Sequence, residues 1–215
     1  MKITTTILLY LISTFFAFSQ TPVQTYFEWT DLPFTKEELS TRRDNLANML
    51  KKEGETGLVV IPANDGFSFG ETFRQADDFY YFTGLELPNA ILVMDLNHNT
   101  TVIYTPERDL RFENGSRVND FPGRPLLNDT SISDKTGVPL ASMQDFTELM
   151  NNASKEKNTV LINNNREGDI RYVSNEYVAT YSPVQVLLQA FNNRHSGLKH
   201  KNMYEAVANV RMIKS

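Results

Sequence analysis

The chain has 215 residues, a formal net charge of −5 at pH 7 and no cysteine. Acidic and basic residues are interspersed, so the sequence lacks the surplus of lysine and arginine that nucleic-acid binding requires. The absence of cysteine excludes disulfide bonds and a thiol nucleophile, and a chain of this length buries about 70% of its extended surface without them.

The first twenty residues differ from the rest of the chain. Lys2 supplies a positive charge, residues 7–18 form an almost unbroken apolar run, and Ala17-Phe18-Ser19 resembles a signal-peptide cleavage site. The run is shorter than the roughly 20 apolar residues that a membrane-spanning helix needs. We therefore expect a signal peptide over residues 1–19 and an exported protein, periplasmic or extracellular, with no membrane span after cleavage.

A complete helix-start pattern follows. Thr35 can accept a hydrogen bond from a free amide, Glu38 can reach back to complete a capping box, and Phe34 can pack on Leu39. The sequence therefore predicts a helix that begins here and ends near Lys52.

One stripe of this helix is apolar. Its members are Leu39, Leu46, Met49 and Leu50. Arg42 and Arg43 are predicted to lie largely off the stripe, and Gly54 is a suitable terminator. The stripe should pack on a β-sheet.

Four segments rich in branched apolar residues are predicted strands. They are residues 58–61, 90–96, 101–105 and 160–162. Residues 97–100 read Asn-His-Asn-Thr, and asparagine accepts the left-handed conformations of a tight turn. The second and third strands should therefore form a hairpin.

Two further helices are predicted by capping patterns. Ser142 and Asp145 can cap a helix over residues 145–152, and a helix of about ten residues should follow Ser182-Pro183. Residues 109–139 are rich in Gly, Pro, Asn, Asp and Ser and are predicted to form loops and short turns. Strands interleaved with helices predict a single α/β domain with a mixed β-sheet flanked by helices.

Candidate metal ligands are few. The three histidines, His98, His195 and His200, have no second ligand at a spacing that places both on one metal. His98 falls in the predicted hairpin turn. The other two belong to a basic stretch, residues 195–201, which we interpret as a solvated linker.

Other reactive groups are also isolated. Asp77 and Asp78 are adjacent, so their side chains are expected to point apart. The sequence contains no Gly-x-Ser-x-Gly elbow and no Gly-x-x-x-x-Gly-Lys phosphate loop. We assign no catalytic, cofactor-binding or metal-binding residue to this chain.

One segment carries a motif. Residues 73–84 read Phe-Arg-Gln-Ala-Asp-Asp-Phe-Tyr-Tyr-Phe-Thr-Gly, and Pro88-Asn89-Ala90 follows. This segment closely resembles the Phe-Arg-Gln-x-x-Asp-Phe-Tyr-Tyr-x-Thr-Gly signature of the amino-terminal domain of aminopeptidase P. Residues 211–215, Arg-Met-Ile-Lys-Ser, match the Arg-x-x-Lys-Ser segment that opens the family's catalytic domain.

Ten residues of the motif region are singled out. They are Phe73, Arg74, Gln75, Asp78, Phe79, Tyr80, Tyr81, Thr83, Gly84 and Pro88. If extended, residues 79–82 alternate between two faces, while Arg74 can pair with Asp78 and Gly84 permits a turn. We interpret the set as mainly structural; the alternative is that Arg74 or Tyr80 borders a substrate cleft.

The resemblance implies a domain order. Residues 20–33 are an extended segment, 34–200 the amino-terminal domain, and 201–215 a linker and the start of a missing carboxy-terminal catalytic domain. That pita-bread domain would hold two divalent ions, typically manganese, and release the first residue of peptides with proline second. The amino-terminal domain would shape access and contribute contacts in a homo-oligomer, with residues 109–139 as the expected contact surface.

The sequence departs from the family pattern in one loop, and two other functions stay open. Residues 112–115, Phe-Glu-Asn-Gly, lack the tryptophan of a loop that reaches a neighbouring subunit in some family members. The alternatives are a stand-alone peptide-binding or interaction module that lost its catalytic domain, and a prolidase-like dipeptidase. Nucleic acid is not an expected partner.

Overall fold

The computed structural model describes residues 32–64, 75–106, 130–164, 170–173, 176–179 and 183–213. Six helices lie in this part of the chain: α1 (Lys36–Lys52), α2 (Asp77–Thr83), α3 (Ser131–Thr136), α4 (Met143–Lys155), α5 (Pro183–Arg194) and α6 (Tyr204–Met212). The strands are β1 (Leu58–Pro62), β2 (Ile91–Asp95), β3 (Thr100–Thr105), β4 (Leu140–Ser142), β5 (Thr159–Ile162), β6 (Ile170–Val173), β7 (Glu176–Ala179) and β8 (Lys199–Asn202).

Six strands form one mixed sheet in the order β4-β3-β2-β1-β5-β8. The β1–β2 and β2–β3 pairs are antiparallel, whereas β3–β4, β1–β5 and β5–β8 are parallel. Strands β6 and β7 form a separate antiparallel pair. The predicted mixed sheet flanked by helices is confirmed.

Alternate residues of the central strands face opposite layers, as the two-residue period of a strand requires. Val59 on β1 belongs to the core beneath α1, α2, α3 and α6, and its neighbour Val60 belongs to the core beneath α4 and α5. Both faces of β1 are therefore buried, which explains why its sequence is continuously apolar.

The predicted cap of α1 is confirmed, but the capping box is not. The Thr35 hydroxyl accepts a hydrogen bond from the Glu38 amide at 3.2 Å. The Glu38 carboxylate binds the Arg42 guanidinium instead of returning to the start of the helix. A charged partner one turn away competes successfully for this carboxylate.

The hairpin and the start of α4 are confirmed. Asn99 has a φ of 56° in the turn between β2 and β3. At α4, the Ser142 hydroxyl accepts from the Asp145 amide at 3.0 Å, and the Asp145 carboxylate accepts from the Ser142 amide at 3.1 Å. This capping box starts the helix two residues earlier than predicted.

Two glycines near the end of α1 have different surroundings. Gly54, with φ 79°, follows the helix, and a Cβ built on it meets nothing within 4 Å. Gly57, with φ 100°, lies so close to the Thr159 carbonyl oxygen that a Cβ there collides with it. Of these two positions, only residue 57 must be glycine for β1 to lie this close to β5.

The basic stretch at residues 195–201 is not a linker, and this prediction was wrong. Lys199–Asn202 forms the edge strand β8, and the His200 ring stacks on Phe191 at 5.9 Å with an interplanar angle of 1°. Burial lowers the pKa of His200. The strand ladder with β5, rather than the local charge, determines the conformation of this segment.

The segment predicted to be a linker, 201–215, is also corrected over its described part. Helix α6 lies within it, and Ala206, Val207 and Val210 are buried in the core with α1. Apolar residues at helical spacing therefore attach this segment to the domain.

Part of the predicted loop region at residues 109–139 also differs from expectation, because α3 forms within it. Residues 109–129, the signal peptide and Ser182 lie outside the described residues. Within the part of the chain that the structure describes, no helix is long and apolar enough to cross a membrane.

Candidate functional site

Residues 77–83 of the signature segment form helix α2 rather than an extended strand, so the predicted alternation of residues 79–82 was wrong. Phe79, Phe82 and Thr83 share one helical face and are fully buried. Tyr80 and Tyr81 remain half-buried. Spacings of three and four residues put the buried side chains together only in a helix.

Gly84 ends this helix, whereas the sequence predicted only that it would permit a turn. Its φ is 70°, and its amide donates to the Tyr80 carbonyl at 2.7 Å. A Cβ here would lie 3.3 Å from a Leu32 methyl group and 3.5 Å from a Leu39 methyl group. Glycine is therefore favoured both by the left-handed backbone and by the close approach of α1.

Thr83 and Pro88 serve the exit from α2. The Thr83 hydroxyl donates to the Phe79 carbonyl at 2.6 Å and accepts from the Leu85 amide at 3.1 Å. Pro88 lies half-buried in the turn before Asn89, whose φ is 57°. Both residues direct the chain from the helix into β2.

Gln75 is a buried polar anchor at the entry to α2. Its Oε1 accepts from the amides of Asn64 and Ala76, each at 2.8 Å. Its Nε2 donates to the Leu87 carbonyl at 3.0 Å. One amide side chain thus joins the end of β1, the start of α2 and the approach to β2.

Two arginines on α1 hold the other end of the signature helix. Arg42 and Arg43 are only 7% and 5% exposed, so the prediction that they lie off the buried stripe was wrong. Arg42 donates to the Tyr81 carbonyl at 3.0 Å, and its guanidinium lies 3.8 Å from the ring centroid of Phe34 and 4.4 Å from that of Tyr81. Two aromatic faces thus cover a cation.

Arg43 joins the ends of two helices. It donates to the Phe82 carbonyl in α2 and to the Thr136 carbonyl in α3, both at 2.8 Å. Carbonyls in the last turn of a helix lack partners within the helix and attract a cation. Burial lowers the pKa of Arg43 to about 10, so the guanidinium stays charged at neutral pH.

The sequence predicts Arg74 as the partner of Asp78. Arg74 and Phe73 both lie outside the described residues. The Asp78 carboxylate accepts from Arg211 at 3.0 Å and from the Asn163 amide nitrogen at 2.6 Å. The Tyr81 hydroxyl donates to the Val210 carbonyl at 3.1 Å. The signature helix is thereby bonded to the last turn of α6.

Sequence reasoning missed the roles of Arg42, Arg43, Asn163 and Arg211. Their contacts span 39 to 133 residues of chain, apart from the local pairing of Arg42 with Glu38. One available signal was the position of two arginines inside an amphipathic helix whose partner segment is aromatic. Contacts between arginine side chains and aromatic rings are common in proteins, so this pairing could have been anticipated.

The described residues contain no group of three or more His, Asp or Glu side chains placed to hold a metal ion. The two-metal ligand set implied by the resemblance does not fit these residues. An open groove of about 350 Å³ lies between the end of α1 and the start of α6, lined in part by Leu50, Glu53 and Glu205. It shares no lining residue with the signature segment.

These features define an α/β domain in which buried polar side chains fix a short aromatic helix against one face of a mixed sheet. Residues 39–114 match the family model described as aminopeptidase P, N-terminal domain. The resemblance to that family is thus confirmed over this segment.

Similar proteins are found among known sequences and solved structures. The Xaa-Pro aminopeptidase of Escherichia coli (strain K12) is 31% identical over 83 residues, which cover 37% of this chain and 19% of that protein. A Bacillus anthracis structure described as an aminopeptidase P has a TM-score of 0.65 at 16% identity and covers 85% of this chain. E. coli aminopeptidase P with the inhibitor Pro-Leu has a TM-score of 0.57 at 20% identity, again over 85%.

These structural likenesses show a shared fold. The matches cover 41% of the B. anthracis chain and 40% of the E. coli chain. The present chain thus spans about two fifths of the length of the solved relatives that it matches.

Proposed function

We propose that this chain is the amino-terminal, non-catalytic domain of an exported, metal-dependent Xaa-Pro aminopeptidase. The observation that carries the proposal is the family match over residues 39–114, which includes α2 and both of its arginine anchors. The complete enzyme would hydrolyse the bond before proline and release the first residue of the peptide.

The proposal assigns the chemistry to a carboxy-terminal pita-bread domain with two divalent ions, manganese being the expected metal. Paired metals activate water and polarise a scissile carbonyl. The described residues of this chain supply no ligand set for them. The proposed role of the described residues is to stabilise the domain that lies beside the catalytic domain.

Within that role, the signature residues are assigned to structure. Gln75, Thr83 and Gly84 make contacts inside the domain, and Asp78 binds α6. Tyr80, which is half-buried and meets Phe34 edge-on at 6.2 Å, retains the surface needed to border a cleft. In the proposed role, the domain also restricts the access of peptides to the active site and contributes contacts in a homo-oligomer.

A chimera tests the proposal. Residues 32–213 of this chain would replace the matched amino-terminal part of E. coli aminopeptidase P, and manganese-dependent cleavage of an Xaa-Pro-containing tripeptide would be measured. We expect the chimera to cleave the tripeptide and the present chain alone to be inert with the same metal. Metal-dependent cleavage by the chain alone would contradict the assignment of chemistry to another domain.

Other measurements separate the alternatives. With the full-length protein, a prolidase-like enzyme would prefer Xaa-Pro dipeptides over tripeptides, whereas the proposed aminopeptidase would favour the longer substrates. A stand-alone module would bind proline-containing peptides without the catalytic domain, which equilibrium dialysis of the present chain would detect.

Export has its own test. Residues 1–24 would be fused to a β-lactamase reporter that confers resistance only outside the cytoplasm. We expect resistance with the natural segment and its loss with Leu9→Arg, because a charge interrupts the apolar run that a signal peptide needs. Equal resistance for both fusions would argue against the signal peptide.

A further inference from the structure

We propose that Asp78, Tyr81, Asn163 and Arg211 form a clasp that fixes the direction in which the chain leaves the domain at the end of α6. The clasp would thereby set the position of the catalytic domain relative to the sheet. This second statement rests on the proposed function, whereas the first concerns the present chain alone.

Three separate parts of the chain meet at the clasp. Asp78 and Tyr81 come from α2, Asn163 follows β5, and Arg211 belongs to the last turn of α6. Asp78 accepts from Arg211 at 3.0 Å and from Asn163 at 2.6 Å. A single carboxylate therefore joins an element on the sheet to the exit helix.

Tyr81 reinforces this connection through the backbone. Its hydroxyl donates to the Val210 carbonyl at 3.1 Å, and the same carbonyl accepts from the Ile213 amide that caps α6. Its ring centroid lies 5.9 Å from the Arg211 guanidinium carbon, and its own carbonyl binds Arg42. The clasp is thus continuous with the buried anchor on α1.

Asn163 is oriented by Asp78. Its amide nitrogen donates to the Asp78 carboxylate at 2.6 Å, while its buried Oδ1 has no hydrogen-bond partner among the described residues. A hydrogen bond to a charged group contributes more than one between neutral groups, so the bond to Asp78 favours this orientation of the side chain.

The two ends of α6 are held by different forces. Ala206, Val207 and Val210 are buried in the core, whereas Met212 and Ile213 are 72% and 49% exposed. Apolar packing therefore fixes α6 as far as Val210, and the polar clasp holds the residues that follow it, beginning with Arg211. Loss of the clasp should release the end of the helix without unfolding the domain.

Spin-label distances test this separation, and the absence of cysteine allows labels at chosen sites without background. One pair would join Lys52→Cys to Met212→Cys, and a reference pair would join Lys52→Cys to Glu205→Cys. All three positions have exposed side chains. Double electron–electron resonance would be recorded on the present chain, with and without the double variant Asp78→Asn/Tyr81→Phe.

We expect the 52–212 distance distribution to broaden about twofold in the double variant and the 52–205 distribution to stay unchanged. Hydrogen exchange of the last-turn amides should accelerate about threefold to tenfold, as expected when an ion pair and a hydrogen bond are lost. Asp44→Asn, an exposed aspartate change on α1, is the matched control and should alter neither measurement.

An unchanged 52–212 distribution would overturn the proposal, and so would equal broadening of both pairs, which would indicate general loosening. These measurements need no enzymatic activity, so they remain readable if the proposed function fails. Conversely, an intact clasp beside an inactive chimera would reject only the assignment to an aminopeptidase.

Discussion

Replacing Arg43 by methionine should destabilise the domain substantially. The methionine stem fills much of the same space but cannot donate to the Phe82 and Thr136 carbonyls, which accept from Arg43 at 2.8 Å. The change therefore isolates two hydrogen bonds from a charged group that join α1 to the ends of α2 and α3.

The expected loss follows from these bonds. A hydrogen bond to a charged group contributes about 1.5–3 kcal/mol. Burial of the guanidinium, which lowers its pKa to about 10, offsets part of the sum. We expect a decrease in the free energy of unfolding of about 2–4 kcal/mol, or roughly 5–15 °C in Tm for a chain of this size.

Urea unfolding followed by circular dichroism measures this difference, with an unchanged slope as evidence that the folded state is intact. Arg43→Lys should fall between the wild type and Arg43→Met, because one ammonium cannot reach both carbonyls as a planar guanidinium does. Lys52→Met, an exposed basic residue on the same helix, should change stability by less than about 0.5 kcal/mol. Wild-type stability of Arg43→Met would refute the reasoning.

Three further changes test other contacts. Gly57→Ala should destabilise the chain by at least about 2 kcal/mol more than Gly54→Ala in urea unfolding, because both replacements strain a positive φ but only the first collides with β5; equal losses would contradict the described approach of the strands. Gln75→Leu should cost about 2–4 kcal/mol in the same assay, since it leaves buried amides and a carbonyl without partners, and a neutral result would exclude its anchoring role. The hydrogen bond to Asp95 raises the pKa of His98 above 6.5. The stabilisation from this hydrogen bond is complete below pH 6.5 and is lost as the pH rises through the raised pKa of His98. An NMR titration of His98 should therefore give a higher pKa in the wild type than in Asp95→Asn, and equal values would contradict the contact.

Local signals in the sequence predicted much of the fold. The cap of α1, the asparagine turn and the capping box of α4 are each made by residues within four positions of one another, so they can be read without knowledge of distant partners. The branched apolar runs likewise identified the central strands. Local chemistry and the final fold agree at these places.

The signature helix shows where such reading fails. Four consecutive aromatic residues favour a strand by propensity, yet α2 is helical because Phe79, Phe82 and Thr83 must all reach the core. Strand β8 is the converse case, since its polar sequence has no strand pattern and takes its conformation from pairing with β5. Tertiary contacts overrode propensity in both.

The anchors of the site were even less accessible to prediction. Arg42 and Arg43 resemble solvent-facing residues of an amphipathic helix, and their acceptors are backbone carbonyls, which carry no side-chain identity. Arg74, the partner predicted for Asp78, lies outside the described residues. The described partners, Asn163 and Arg211, are 85 and 133 residues away. Sequence spacing contains no information about such pairs.

The Gln75 amide also affects how the chain tolerates changes in length. It binds the Asn64 amide on one side of residues 65–74 and the Ala76 amide on the other. Both flanks of that stretch are thus tied to one side chain, and lengthening a connection costs only about 0.6 kcal/mol for each doubling of its length. Insertions between Asn64 and the signature residue Phe73 should therefore leave β1 and α2 in register, so residues 65–72 are a suitable place for engineers to add a peptide.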